Sequence, residues 1–230
     1  MKKAGIVGGL GPVSTAEYYK KIIQRSRKLH PDVWPELVIE SINMDGINEA
    51  LARGDREDYH HQMHRALQDL AAAGADFAAI SSNTAHEGFE RMAAESPIPV
   101  VSILETSAGY LERSGCRRVL VLGTGYTMQH DLYGPVLQRR NIEEILPASE
   151  ECVQVQDIIF PKLEDGIVDP DDKARLIEIA ENCISRDHAD CVLLGCTELP
   201  VMLKPGDLSV PLVSSTDLHV SAITDCIFSE

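Results

Sequence analysis

ADFAAISSNT, residues 75–84, and ADCVLLGCT, residues 189–197, follow one pattern. Each opens with Ala-Asp, runs through apolar residues of the kind that fill a buried parallel strand, and breaks into small polar residues. The offset is 114 residues from Ala75 to Ala189 and again from Ser82 to Cys196. A second pair agrees: KKAGIVGG at 2–9 matches RRVLVLGT at 117–124, with Gly8 and Gly123 lying 115 apart. A shared period of this length points to an internal duplication, against the alternative that any two buried strands of an α/β protein look alike.

The rest of the chain fits two such repeats. Strand-like runs at 5–7, 37–42, 75–80 and 100–103 alternate with helical patterns at 14–28, 58–73, 86–94 and 105–114. The second half repeats the scheme, with strands at 119–122 and 191–194 and helices at 128–139, 152–164 and 170–186. A late strand at 210–213 then leads to a closing helix at 216–227. Alternation of this kind makes βα units and a parallel sheet, and Gly74 and Gly115 end their helices in the left-handed way. The expected fold is α/β with two pseudosymmetric lobes, each a parallel sheet flanked by helices. The first lobe comprises residues 1–100 with 213–230 and the second 101–212, with the active site in the cleft between them. Parallel sheets bind ligands at the carboxyl ends of their strands, where both duplicated turns fall.

Bulk composition narrows the function. With 36 acidic and 21 basic residues among 230, the net charge of −15 argues against nucleic acid or an anionic membrane as the main partner. A small anionic substrate could still be held by local donors. No apolar run approaches the length of a spanning helix, and Gly8-Gly9-Leu10-Gly11-Pro12 breaks the N-terminal stretch where a signal peptide would continue, so a cytoplasmic protein is expected. The six cysteines all lie in the second half without a Cys-x-x-Cys pair, which suggests neither a disulfide framework nor a zinc site.

Several groups could carry chemistry. The turn around Leu10 follows a strand and opens a helix, so its backbone N–H groups could hold a carboxylate or phosphate; a plain tight turn with Pro12 first in the helix is the alternative. Ser14 stands where a dinucleotide fingerprint would need glycine. Ser82, Asn83, Thr84 and Ala85 in one turn, and Cys196, Thr197 and Glu198 in the other, supply hydroxyl, amide and helix-start donors suited to a substrate carboxylate. Capping alone accounts for Asn83 and Thr197 equally well. It does not account for a thiol, whose pKa a helix N-terminus lowers, so Cys196 is placed to act as base or nucleophile. Thr124, Tyr126 and Thr127 follow the second-lobe strand as possible hydrogen-bonders, and His86 stands near the first turn in a supporting or capping role. His60 and His64 share a helical face, but a solvated face is a better reading than a metal site.

Gly-Gly-Leu-Gly-Pro at 8–12, Ser-Asn-Thr-Ala-His at 82–86, Leu-Gly-Thr-x-x-Thr at 122–127 and Gly-Cys-Thr-Glu at 195–198 together resemble the aspartate/glutamate racemase superfamily across essentially the whole chain. The resemblance implies two α/β lobes, a homodimer, and catalysis with no cofactor, neither pyridoxal phosphate nor metal. It also implies a small anionic amino acid as substrate. In the usual pattern two cysteines straddle the substrate α-carbon, one removing its proton and the other donating from the opposite face. Cys196 matches the second of these and Ser82 takes the place of the first. Members with a hydroxyl residue there prefer L-acidic amino acids. Aspartate-type members place a lysine where this chain has Glu164, with Lys162 two residues away, and an arginine for which Arg53 is the nearest counterpart.

A thiol can be tuned to ionise near neutrality, whereas a serine hydroxyl cannot be stocked as alkoxide without a neighbouring base. The activity that the resemblance implies is a cofactor-independent racemase of aspartate or glutamate that favours the L-enantiomer, with Cys196 as base toward the L-form. Two alternatives stand beside it. One is a one-thiol decarboxylase or isomerase of the same superfamily, and the other a catalytically silent binder or Cys-to-Ser variant.

Overall fold

A computed structural model describes residues 1–229. The chain divides into two compact units, Met1–Ile103 together with the segment from His219, and Leu104–Leu218. In the first unit the order is β1 (Ala4–Gly8), α1 (Pro12–Leu29), β2 (Leu37–Ser41), α2 (Met44–Ala52), α3 (Arg56–Ala72), β3 (Phe77–Ile80), α4 (Phe89–Glu95) and β4 (Val100–Val101). The second runs α5 (Ile103–Arg113), β5 (Arg118–Gly123), α6 (Gly125–Gln129), α7 (Gly134–Gln138), β6 (Glu143–Ile145), α8 (Ser149–Ile158), α9 (Pro170–Asp187), β7 (Cys191–Gly195), α10 (Leu199–Met202) and β8 (Leu212–Ser214). The last helix, α11 (Ser215–Phe228), follows β8 directly, and its Val220, Ile223 and Ile227 pack into the core of the first unit.

Both sheets are four-stranded and parallel throughout, ordered β2-β1-β3-β4 and β6-β5-β7-β8. The repeated strands thus form the central pair of each sheet, where both faces are covered and every residue of β1, β3 and β7 is buried. The repeated Ala-Asp has a structural cause. Asp76 accepts from the backbone N–H of Lys3 at 2.6 Å while donating its own N–H to the Lys3 carbonyl. Asp190 does the same in the second unit, accepting from Arg117 and Arg118 at 2.7 and 2.9 Å and donating to Arg118. Each aspartate therefore pins the start of one central strand to the next and sets the register that carries the turns at the other end.

The repeated glycines also have a reason. A Cβ on Gly8 would overlap the Thr15 side chain of α1, and one on Gly123 would lie 3.0 Å from the Thr127 side chain of α6. In both units a threonine of the following helix packs against the bare backbone where the strand ends.

The structure departs from the sequence expectations where local signals were weak. The expected helix at 128–139 is two short helices, interrupted where Asp131 takes a positive φ of 51°. The expected helix at 152–164 ends its regular part at Ile158, because Phe160 precedes proline and turns extended (φ −117°, ψ 131°). The helix at 86–94 is split at Gly88. Two elements absent from the sequence reading, α2 and β6, also appear: α2 is opened by the Asn43 side chain accepting from the Asp45 N–H at 3.1 Å, and β6 is a three-residue edge strand. No described helix is long and apolar enough to cross a membrane.

Candidate active site

In the first unit, β3 runs into Ser81 and Ser82. The Ser81 hydroxyl is buried and donates to the Val7 carbonyl at 3.0 Å, tying this turn to β1, while Ser14 donates to the Ser81 carbonyl at 3.0 Å. Ser82 is half-buried, and its Oγ accepts from the Ala85 N–H at 3.4 Å at the head of the tight turn Thr84–His86. Capping here therefore falls to Ser82, since the buried Asn83 side chain makes no cap bond. Thr84 is half-buried, and Ala85 is buried with its carbonyl accepting from Tyr59 at 2.7 Å.

His86 fixes the turn from beneath. Its Nε2 accepts from the Ile103 N–H at 3.2 Å, so Nδ1 carries the ring proton and donates to the Ser82 carbonyl at 2.8 Å. His219 of α11 is held in the same manner: Nε2 donates to the Val101 carbonyl at 3.0 Å and Nδ1 accepts from Tyr18 at 2.9 Å. Burial pushes both imidazoles down, to about 3 for His86, with the charge of His219 adding to the effect, and to about 4 for His219. Both rings are neutral with both nitrogens satisfied. The supporting role expected of His86 has a definite form here, namely orientation of the residue that bears the hydroxyl.

The turn at residues 8–12 is organised internally. The Gly9 N–H donates to Thr15 Oγ1 at 2.9 Å and the Thr15 hydroxyl to the Gly11 carbonyl at 3.1 Å, so the Gly9 N–H expected to face an anion is engaged within the loop. Helix α1 starts at Pro12, and Leu10 packs half-buried against the first-unit core.

In the second unit, β7 ends at Gly195, and Cys196 follows with 5% of its surface exposed. Its Sγ donates to Glu198 Oε2 at 2.9 Å, and Thr197 Oγ1 donates to the same oxygen at 2.6 Å. The N–H groups of Glu198 and Leu199 point at the sulfur and favour a thiolate, as a helix start should. They do not prevail. Burial, the Glu198 charge and the hydrogen bond to Glu198 together hold the thiol well above its usual range. The lowered pKa expected for Cys196 is therefore corrected: without a ligand the sulfur is protonated, and its proton faces a carboxylate. Glu164 stands just after the turn Ile159–Leu163, its own carboxyl raised by burial and then by the charge of Glu198.

Other expected groups are occupied. Thr124 caps α6, accepting from the Thr127 N–H at 3.3 Å, and its hydroxyl lies 3.1 Å from that of Thr127. Thr127 is fully buried. Tyr126 stacks on His130. His60 is buried with Nε2 2.8 Å from Glu95, so the expected solvated face does not hold for it; the last residue of α4, 35 positions along the chain, supplies a carboxylate that spacing within one helix did not show. Its neighbour His64 lies 3.0 Å from Gln68. Among the described residues no cluster of three or more His, Cys, Asp or Glu is arranged to hold a metal. Lys162 is paired with Asp169 and Asp172, and Arg53 with Glu49 and Asp58.

A thiol bonded to a carboxylate follows one repeated strand and a hydroxyl on an oriented turn follows the other, at corresponding addresses in the two repeats. The family model for Asp/Glu/hydantoin racemases matches residues 7–223, and the chain belongs to that family of amino-acid racemases. It is 26% identical over 222 residues to the broad specificity amino-acid racemase RacX of Bacillus subtilis, covering 92% of each chain. The structure is similar to that of an aspartate racemase homologue from Pyrococcus horikoshii, with 34% identity, full coverage of both chains and a TM-score of 0.88. It shares its fold with arylmalonate decarboxylase at 14% identity and a TM-score of 0.55, over 99% of this chain and 93% of that one.

Proposed function

We propose that this protein racemises a free amino acid by exchanging its α-proton, with Cys196 and Ser82 acting on opposite faces of one α-carbon. The observation that carries this reading is the Cys196 Sγ–Glu198 Oε2 contact of 2.9 Å at the end of a repeated strand in a racemase-family chain. A substrate α-ammonium beside Glu198 would offset the carboxylate charge that keeps the thiol protonated. The thiol would then release its proton to water, and the two N–H groups aimed at Sγ would sustain the thiolate that takes the α-proton. Ser82 delivers a proton to the other face and regains one from water. With Cys196 serving the L-enantiomer, as the sequence resemblance implies, removal from the D-form is slower, since the hydroxyl donates far more readily than its alkoxide can be generated.

Aspartate and glutamate, with preference for the L-form, are the substrates the sequence resemblance implies. A relative described as a broad specificity racemase widens the set to be tested. A homodimer and a cytoplasmic location belong to the same reading; six unpaired cysteines suit a reducing compartment.

Incubation of wild-type protein and Cys196→Ala with L-amino acids in D₂O, followed by NMR of the α-proton, tests the assignment. The variant should lose exchange by about 10² to 10⁴-fold, the range for a general acid–base group. Retention of more than about a tenth of the wild-type rate removes Cys196 from the chemistry. Absence of exchange in the wild type for every amino acid tested transfers support to the one-thiol decarboxylase or to a silent binder, which ligand-induced stabilisation without turnover would reveal.

A further inference from the structure

The chain passes between its two units twice, after Ile103 and before His219, and both of these residues are fully buried. Each crossing lies within a helix: α5 begins at Ile103, and His219 stands one turn into α11. Edge strand β4 ends at Val101, and two imidazoles take up the backbone groups around that end. His219 Nε2 donates to the Val101 carbonyl at 3.0 Å. His86 Nε2 accepts at 3.2 Å from the Ile103 N–H, one of the first-turn donors that a helix leaves unbonded.

The far nitrogen of each ring is committed as well. Tyr18 donates to His219 Nδ1 at 2.9 Å, and His86 Nδ1 donates to the Ser82 carbonyl at 2.8 Å. Tyr18, His219 and His86 are at most 2% exposed, so bulk water offers none of these groups a substitute partner. Each ring is thus a link of fixed length and fixed tautomer. A shift of residues 101–103 must either break a buried bond or draw the Ser82 carbonyl with it, and the Ser82 hydroxyl, bonded to the Ala85 N–H within the same turn, would follow. Satisfying buried backbone groups would be reason enough for either histidine alone. Together they run in one line from the crossings of the chain to the turn that bears the hydroxyl.

We propose that His219, held by Tyr18, is a positioning residue for the Ser82 hydroxyl, acting through residues 101–103 and His86, so that the aim of Ser82 is set where the chain passes between its units. The inference rests on the racemase reading and on Ser82 as one of its two proton-transferring groups.

The test measures racemisation of the L-amino acid that the wild type exchanges fastest, by initial rates on a chiral column, for His219→Leu, His219→Gln and Tyr18→Phe, each checked for native circular dichroism. His219→Leu removes both bonds of the ring and should lower kcat about tenfold with KM within about twofold, since a small misplacement of a reacting group costs rate rather than binding. His219→Gln keeps an N–H for the Val101 carbonyl and should hold kcat within about threefold of wild type, and Tyr18→Phe should lower it by about threefold. Alkylation of Cys196 by iodoacetamide, followed by mass spectrometry, should keep its rate within about twofold in every variant, because the thiol's surroundings are unchanged. Full kcat in His219→Leu, or an equal loss in His219→Gln, overturns the inference and leaves the racemase reading standing. Faster alkylation of Cys196 alongside the loss overturns the positioning role, since general loosening would then account for both. If His219→Leu does not fold, the nearly isosteric Tyr18→Phe decides alone, and full kcat there overturns the inference. A wild type that racemises no amino acid overturns the racemase reading and this inference with it.

Discussion

Ser82 and Cys196 occupy one address in the two repeats, and their surroundings differ as much as their chemistry. Ser82 caps a tight turn whose carbonyl is held by a neutral imidazole, while Cys196 donates to a carboxylate in a buried wall. Glu198→Gln removes the charge that raises the thiol and should move the Cys196 titration downward, read as thiolate absorbance near 240 nm against a Cys196→Ala background. An unchanged titration would mean that burial alone holds the proton. The same variant loses the carboxylate that would hold the substrate α-ammonium, so exchange should fall even as the thiolate fraction grows. At the other address, Ser82→Cys supplies a group that can wait as a base and should raise exchange of the D-enantiomer more than that of the L-enantiomer. Because the equilibrium between free enantiomers stays at unity, separate initial rates carry the comparison. An equal gain for both, or a gain for the L-form alone, places Ser82 on the wrong face.

At the scale of strands and helices, the repeated Ala-Asp is a register clamp. Asp190 holds two backbone N–H groups and Asp76 holds one. Asp190→Ala should cost about 1 kcal/mol, or roughly 2 to 4 °C in Tm, and Asp76→Ala less, as measured by thermal unfolding. Since each clamp lies at the end of its sheet away from the turns, racemase activity at low temperature should survive both changes. The two central strands of each sheet were legible because burial on both faces leaves a continuous apolar run. Edge strand β6, with two glutamates in three residues, has no such pattern and is recognised only by its pairing with β5. The helices at 128–139 and 152–164 were overextended because apolar spacing continues across breaks set by Asp131 and by the Phe160-Pro161 step.

For the whole molecule, buried titratable groups set opposite limits on stability. His86 and His219 stay neutral in the folded chain down to about 3 and about 4, while an unfolded imidazole protonates near 6.5. The unfolded state therefore binds more protons below that pH, and stability should fall on acidification by about 1.4 kcal/mol per pH unit for each ring. Glu144 acts in reverse. Burial, reinforced by Asp131, raises its carboxyl to about 8 from 4.5, so its contribution is complete below 4.5 and is lost as pH rises through 8. Between 4.5 and 6.5 the two rings outweigh Glu144, and above 6.5 the rings no longer respond and the raised acids, Glu144 foremost and Glu164 after it, lower stability, which puts maximum stability near pH 6.5. Urea unfolding from pH 5 to 8.5 tests this, and Glu144→Gln should flatten the fall between 6.5 and 8. A maximum displaced above pH 8 would mean that Glu144 ionises freely in the folded chain.

The sequence by itself determined the repeat, the parallel sheets and the two turns that carry Ser82 and Cys196, because these depend on local periodicity and on a spacing of 114 residues that needs no coordinates. It also singled out Cys196 and Glu198 as near neighbours. Only the tertiary structure decided what state those groups are in. Whether a thiol at a helix start ionises depends on how much water burial removes and which charges face it, and here Glu198 and the surrounding core outweigh the backbone donors. The same holds for His60 with Glu95, for His86 beneath Ser82, and for the two carboxylates near Cys196, since folding brings together residues between 2 and 35 positions apart whose charges cannot be summed along a chain.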